Sequence, residues 1–182
     1  MDTPLHECPD VSSTLRINVF HSATLTYYAP SDLSGVGGVH REFIQANPTW
    51  KKDQGRHNCI YVMGDPDQDG FSRLLVAHVH IFLSFKIEEV PYSCALVRWF
   101  STYSDSPCKD TGFWRVQPDF DMQGQCVCSI IHINTIIHSA HIMGVAGSHI
   151  LPSNFTHHDS LYSFQLYFIN KYADHYAHEL VF

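Results

Sequence analysis

The feature that most constrains the fold is a long alternation of apolar and polar residues at 73–87. From position 75 onward its odd positions are all apolar, whereas its even positions include His78 and His80. A period of two residues is typical of a β-strand with one buried face, because successive side chains of a strand point to opposite sides. Charged residues and a proline at 88–91 form a turn signal. Residues 92–102 are therefore predicted to return as the hairpin partner.

Shorter β-type runs surround this hairpin and are separated by turn residues. They lie at 15–20, 23–28, 60–63, 112–116 and 126–131. Towards the C-terminus the pattern favours helices at 133–140, at 159–168 and at 171–180. Many short strands followed by helices predict a mainly β protein with C-terminal helices, built as a small, partly open β-barrel.

The length of 182 residues fits one such domain with a terminal appendage. The interpretation divides the chain into a flexible tail at 1–13, the β-barrel domain at 14–150 and a helical cap at 151–182 packed on the barrel.

The charge balance argues against a dedicated nucleic-acid binder. The chain has 11 Lys and Arg against 18 Asp and Glu, a formal net charge of -7. Duplex binders need a basic face, because neutralising phosphates supplies much of their affinity. A local basic stretch remains at Arg41, Lys51, Lys52 and Arg56. We expect nucleic-acid contact through it to be weak at most, and to strengthen on mild acidification because the chain has 14 His.

Cysteine usage and the N-terminal residues bear on the compartment. The six Cys accompany an acidic N-terminal stretch without an apolar signal segment. We therefore expect reduced thiols in an intracellular protein, nuclear or cytoplasmic, that is not secreted. No apolar run reaches about 18 residues, so no membrane span is expected.

Histidine pairs offer one alternative function, a metal-binding protein or metalloenzyme. His175 and His178 share one face of the predicted last helix, and His138 and His141 have the same spacing. Neither pair has the order found in helical zinc hydrolases. The favoured interpretation is that these imidazoles pack beside tyrosines and bond to backbone carbonyls. No cofactor is predicted.

Adjacent aromatic residues suggest a binding surface. A single strand cannot bury both Trp99 and Phe100 on one face, so one of them must point outward or cover a second layer. Together with Trp114 they form the predicted aromatic edge, a candidate site for a protein partner.

The segments of this chain also resemble a known family. The residues that carry the resemblance lie at 19–23, 28–35, 37–42, 65–67, 84–86, 94–100, 111–114 and 170–179. In order and spacing they resemble a stretch of the long reading frames of Plavaka/KDZ-type DNA transposons of basidiomycete fungi. The resemblance covers roughly residues 15–182.

The resemblance implies a C-terminal accessory region that lies downstream of a transposase core with an acidic metal-binding triad. None of that core is present here, so the resemblance implies a truncated or domesticated remnant without catalytic residues. It also implies exposed basic positions at His78 and His80. The order of strand, hairpin and Trp-Phe pair is similar to bromo-adjacent-homology and SH3-like barrels of chromatin proteins, a likeness of fold alone.

The sequence thus predicts a non-catalytic, transposase-derived interaction module that binds a protein or chromatin partner. No small-molecule substrate is evident. The alternatives are the metal-binding protein described above and a transposon relic without selected activity.

Overall fold

A computed structural model describes residues 15–30, 32, 34–50, 54–147, 151, 153–156 and 159–181. Twelve β-strands and one α-helix lie in these ranges. The strands are β1 (Asn18–Phe20), β2 (Ser22–Tyr28), β3 (Val39–Trp50), β4 (Gln54–His57), β5 (Cys59–Met63), β6 (Leu74–Ile87), β7 (Val90–Thr102), β8 (Arg115–Pro118), β9 (Cys128–His132), β10 (Ile136–Ala140), β11 (Ile142–Gly144) and β12 (Tyr167–Ile169), and the helix is α1 (His175–Val181). The chain is mainly β, as predicted.

The strands form a large curved sheet and a small one. The large sheet runs in the order β10-β5-β6-β7-β8-β12-β11, with β1 added to β6 and β9 added to β7. It is nearly closed on itself, which confirms the partly open barrel. The small sheet has the order β2-β3-β4.

The β6–β7 hairpin is the centre of the large sheet. Its strands pair antiparallel from Val76 with Phe100 down to Ile87 with Val90, as the alternation predicted. The register slips by one residue at His80, which forms a β-bulge between Val79 and Ile81. A bulge reverses which positions face each side. The buried residues consequently change from Ala77 and Val79 before it to Phe82 after it.

Two hydrophobic cores cover the two faces of this sheet. The first contains residues of β5 to β8 together with the C-terminal segment, among them Tyr61, Phe100, Tyr167 and Leu180. The second lies under the small sheet and contains Ile44, Ile60, Val79, Phe82 and Val97. Both faces of β6 and β7 are therefore buried, which a strand of a single-faced sheet would not show.

The expected C-terminal helices are only partly correct. Residues 133–140 form a 3-10 turn, Ile133–Thr135, followed by β10, in which Ile136, His138 and Ala140 are buried. The helix expected at 159–168 is likewise wrong. A 3-10 turn, Asp159–Leu161, leads there to β12, whose pairing with β8 and β11 overrides local helix propensity.

The last predicted helix is confirmed in shorter form as α1. Asp174 ends the preceding turn, and its carboxylate Oδ1 accepts a hydrogen bond of 2.7 Å from the backbone N–H of Ala177. This is the contact that an Asp makes at a helix N-cap. The helix begins at His175 for that reason. The predicted tail at 1–13 lies outside the described residues.

Candidate functional site

Two clusters of titratable side chains, each around a buried histidine, stand out in the described part of the chain. The first, here called the carboxylate cluster, consists of Glu42, His138 and Asp174. His138 is 1% exposed. Its Nε2 lies 2.9 Å from Asp174 Oδ2 in a hydrogen bond. Its Nδ1 lies 2.9 Å from Glu42 Oε2, an ion-pair contact without the alignment of a hydrogen bond.

The carboxylate cluster joins three elements of the fold. Glu42 lies on β3 of the small sheet, His138 lies on β10 of the large sheet, and Asp174 caps α1. Glu42 also accepts hydrogen bonds from the backbone N–H and the hydroxyl of Ser139. The ring of Tyr27 packs edge-on against the His138 ring, with centroids 4.8 Å apart. Each charge of the cluster therefore has an opposite charge beside it.

This pairing sets the protonation states of the carboxylate cluster. Burial by itself would lower the pKa of His138, but the hydrogen bond to Asp174, the close contact with Glu42 and the negative charges of both carboxylates outweigh it and raise that pKa to about 9. Burial works in the opposite direction on Glu42 and Asp174, and their bonds to His138 outweigh it and lower both pKa values. His138 is thus an imidazolium between two carboxylates at neutral pH, an arrangement that holds elements together.

The second group, here called the basic cluster, consists of His57, His78, His80 and Arg98. The rings of His78 and His80 have centroids 5.0 Å apart, and the His57 ring lies 5.7 Å from that of His78. His78 is 1% exposed and Arg98 is 3% exposed. The two face each other across the register of β6 and β7.

Local breaks in the strands assemble the basic cluster. His80 is the bulged residue of β6, and bulges often re-aim a side chain next to a functional site. On the neighbouring strands, β4 ends at His57 and β5 begins at Cys59. His57 Nδ1 lies 3.0 Å from the carbonyl oxygen of Val79, at the start of the bulge. The break and the bulge thus bring three imidazoles to one end of the first core.

Arg98 has no carboxylate within ion-pair distance among the described residues. The only hydrogen-bond partner of its guanidinium in the described ranges is the carbonyl oxygen of Leu161, which lies 3.5 Å from Nη1, and Nε has none. The guanidinium instead lies over three aromatic rings, 5.3 Å from Phe100, 5.9 Å from Phe120 and 5.4 Å from Tyr162. Phe120 and Tyr162 are more than half exposed, so they form a rim between the guanidinium and solvent.

The imidazoles of His78 and His80 are held neutral. Burial above all, and then the neighbouring His80, His57 and Arg98, lower the pKa of His78 to about 3. Burial, His57 and Arg98 lower the pKa of His80 in the same way. Among the described residues neither ring nitrogen of His78 has a well-aligned hydrogen-bond partner, and its contact with the backbone of His57 is the smallest of the effects on its pKa. A buried charge or polar group without a partner is costly to the fold, which makes such a group a candidate for ligand binding.

The predicted aromatic edge is not a single surface. Phe100 is 3% exposed and belongs to the first core, whereas Trp99 packs on the second core and donates a 2.9 Å hydrogen bond from Nε1 to Ser129 Oγ. Trp114 stacks on Phe71 beside the first core. The prediction of a single aromatic edge is therefore wrong. Both faces of β7 are covered, and Trp99 and Phe100 pack on opposite cores.

Of the four basic residues expected to contact nucleic acid, the structure describes Arg41 and Arg56. Arg41 is exposed on the outer face of β3, and Arg56 lies on β4 with its guanidinium 5.4 Å from the ring of Trp50. Lys51 and Lys52 lie outside the described residues.

The four histidines of the metal alternative are not brought together. His138 belongs to the carboxylate cluster, and His141 Nδ1 lies 3.0 Å from the side-chain nitrogen of Asn170. His175 pairs with Glu179 at 3.5 Å, and His178 stacks on the ring of Tyr172. Within the described ranges, no group of three or more His, Cys, Asp or Glu has the arrangement to hold a metal ion. The exposed basic positions implied for His78 and His80 are wrong for His78, which is buried.

Sequence reasoning missed Arg98, His57, Glu42 and Asp174 as members of these clusters. For Arg98 a signal exists, since it is the one charged residue in the apolar strand β7 between Val90 and Phe100. A charge in a strand that is buried on both faces needs a partner. The other three positions depend on contacts between distant segments.

Comparisons with known proteins add no assignment. No family model, no curated protein and no solved structure matches this chain. None of the helices in the described ranges has the length and apolar character needed to cross a membrane.

Proposed function

We propose that this chain is a non-catalytic interaction module that binds an acidic group of a protein partner at the basic cluster. One observation carries the proposal, the buried guanidinium of Arg98 that has no carboxylate partner in the described part of the chain. A buried unpaired charge destabilises a fold, so its presence needs a compensating role. An acidic side chain entering beside Phe120 and Tyr162 would supply the missing opposite charge.

The overall charge favours a protein partner over a nucleic acid. With a formal net charge of -7, the molecule repels a long polyanion, whereas one or two acidic groups meet only the local field of Arg98. This also favours an acidic protein partner over the DNA of chromatin. Weak nucleic-acid contact through Arg41 and Arg56 stays a minor part of the proposal.

Thiol chemistry near the cluster supports a non-catalytic role. Cys59 lies opposite His78 in the register of β5 and β6. Burial raises the pKa of its thiol to about 12, so the reactive thiolate is scarce at neutral pH. The five described cysteines form no disulfide with one another, in keeping with the proposed nuclear or cytoplasmic location.

Peptide binding to the full chain tests the proposal. We expect an Asp/Glu-rich heptapeptide to bind, and the matched Asn/Gln peptide to bind at least about tenfold more weakly. Arg98→Gln should abolish the difference. Arg115→Gln is the matched control, because Arg115 is half-buried and also lies over an aromatic ring, that of Tyr103 at 4.9 Å, away from the cluster.

Four outcomes would overturn the proposal. Equal binding of the acidic and amide peptides would remove the role of charge, and binding that survives Arg98→Gln would place the site elsewhere. Duplex DNA that binds more tightly than the acidic peptide at the same ionic strength would favour a nucleic-acid partner. Binding of none of these probes would favour the relic without selected activity.

The transposase origin is part of the same proposal and rests on the resemblance of residues 15–182. It is tested in the genome rather than in the protein. We expect the DNA upstream of the codon for Met1 to encode a domain with an acidic triad, intact or decayed. Upstream sequence unrelated to any transposase would count against this origin while leaving the binding proposal intact.

A further inference from the structure

The imidazoles of the basic cluster lie where a bound anion would change their charge. His78 is the most buried of the three, and its ring contacts those of His57 and His80, which lie 6.4 Å from each other. The ring of Tyr162 packs edge-on against it, with centroids 5.8 Å apart. Tyr162 also lies beside the guanidinium of Arg98, so the same rim residue touches both groups.

The titratable groups around His78 come from several elements packed against it, and none of those in the described ranges is a carboxylate. They are His57 on β4, Cys59 on β5, His80 on β6, Arg98 on β7 and Tyr162 after the 3-10 turn. Cys126, which precedes β9, and Cys128, which begins it, act on Tyr162 in turn. Arg98 contributes a positive charge to this group. The local field therefore opposes protonation of His78.

An oxyanion at Arg98 would reverse that field. Its negative charge would lie within the same low-dielectric end of the core, where opposite charges attract strongly. Both nitrogens of His78 lack partners, so an imidazolium there has hydrogens free to donate to the anion. The carboxylate cluster is an example of a histidine with anions already beside it, because His138 lies next to two carboxylates and its pKa is raised to about 9.

We propose that binding of an oxyanion at Arg98 is coupled to the uptake of one proton by the His78–His80 pair, so that the module holds its acidic partner more tightly as the pH falls. This inference rests on the proposed function and adds its regulation. The two rings are close enough to share the proton, so the uptake belongs to the pair rather than to one residue.

Sulfate is the probe of choice, because it keeps its charge across the whole working pH range. Any pH dependence of its binding then comes from the protein. Calorimetric titration of the full chain in two buffers of different ionisation enthalpy counts the protons taken up. We expect one proton per sulfate near pH 6.5, and an affinity that rises by up to about tenfold for each unit of falling pH.

Resonances of the histidine rings identify the group that titrates. On addition of sulfate we expect His78 or His80 to change from the neutral to the imidazolium signature, while His138, which is already protonated, stays unchanged. The double variant His78→Gln, His80→Gln should keep part of the sulfate affinity at pH 8 and lose the pH dependence. Should that variant fail to fold, the ring resonances of the wild type still decide the matter.

The outcomes separate the two proposals. Sulfate binding that depends on Arg98 but takes up no proton overturns this inference and leaves the proposed function standing. Sulfate binding that is unaffected by Arg98→Gln, or no sulfate binding at any pH, overturns both. Proton uptake that persists in the His78→Gln, His80→Gln double variant would assign the coupling to another group and overturn the inference.

Discussion

His78 and His138 are equally buried, at 1% exposure each, and their electrostatic surroundings are opposite. His138 lies between Glu42 and Asp174 and its pKa is raised to about 9. His78 lies beside Arg98 and two further imidazoles and its pKa is lowered to about 3. Burial acts on both rings in the same direction, so the difference comes from the sign of the neighbouring charges.

The comparison separates a structural cluster from a candidate site. Each charge of the carboxylate cluster is matched within the chain, which suits a contact that fixes β3, β10 and α1 together. The basic cluster leaves a guanidinium and both nitrogens of His78 unmatched. If the carboxylate cluster is structural and the basic cluster is a binding site, substitutions in the first should lower the free energy of unfolding and substitutions in the second should raise it.

Removal of His138 should have the largest effect. His138→Ala leaves the carboxylates of Glu42 and Asp174 side by side without a cation. Breaking a buried pair typically costs roughly 3–5 kcal/mol, and we expect the lower end, about 3 kcal/mol, because Asp174 is partly exposed. Urea unfolding at pH 7 measures the loss. If the free energy of unfolding changed by less than 1 kcal/mol, the cluster would not be structural.

Raising the pH of the wild-type protein should cause the next largest loss in the free energy of unfolding. The folded pKa of His138 is above its unfolded value near 6.5, so its contribution is complete below pH 6.5 and is lost as the pH rises through about 9. We expect a loss of about 2 kcal/mol over that range, after allowing for solvent near Asp174. The double variant Glu42→Gln, Asp174→Asn keeps the helix cap and should abolish the slope.

Arg98→Met should act in the opposite direction and stabilise the protein by about 1 kcal/mol. The substitution replaces a buried unpaired cation with an apolar chain of similar length, which often stabilises a fold. Loss of the contacts with three aromatic rings offsets part of the gain. Thermal unfolding measures the change in stability of Arg98→Met relative to wild type, with Arg115→Met as the control variant. A large destabilisation would mean that Arg98 is structural and would weaken the binding proposal.

The sequence was sufficient for the central hairpin and insufficient for both clusters. The period-2 pattern of β6 could be recognised because it is long and bounded by turn residues. In β10 the buried His138 interrupts the apolar alternation of Ile136 and Ala140, so the strand resembled a helix. The bulge at His80 reversed the faces of β6 without any local signal that we could identify.

The candidate site needed long-range contacts that no spacing rule provides. Glu42 and Ser139 are hydrogen-bonded partners 97 residues apart, and Arg98 reaches Leu161 across 63 residues. Pairs at short spacing, such as His175 and His178, drew attention instead, and in the structure these two make separate contacts, with Glu179 and Tyr172. The charge of Arg98 within the apolar strand β7 is the one local signal that could have indicated the site.

The smallest predicted effect gives the most direct test of the comparison. His78→Leu removes two unpartnered buried ring nitrogens and fills a similar volume with apolar atoms, so we expect the free energy of unfolding to rise by about 1 kcal/mol. His138→Leu, the matched substitution at equal burial, should lower it, because there the ring is paired with carboxylates. Urea unfolding of both variants at pH 7 supplies the measurement. Two changes of the same sign would mean that burial, and not the neighbouring charge, determines how each histidine contributes.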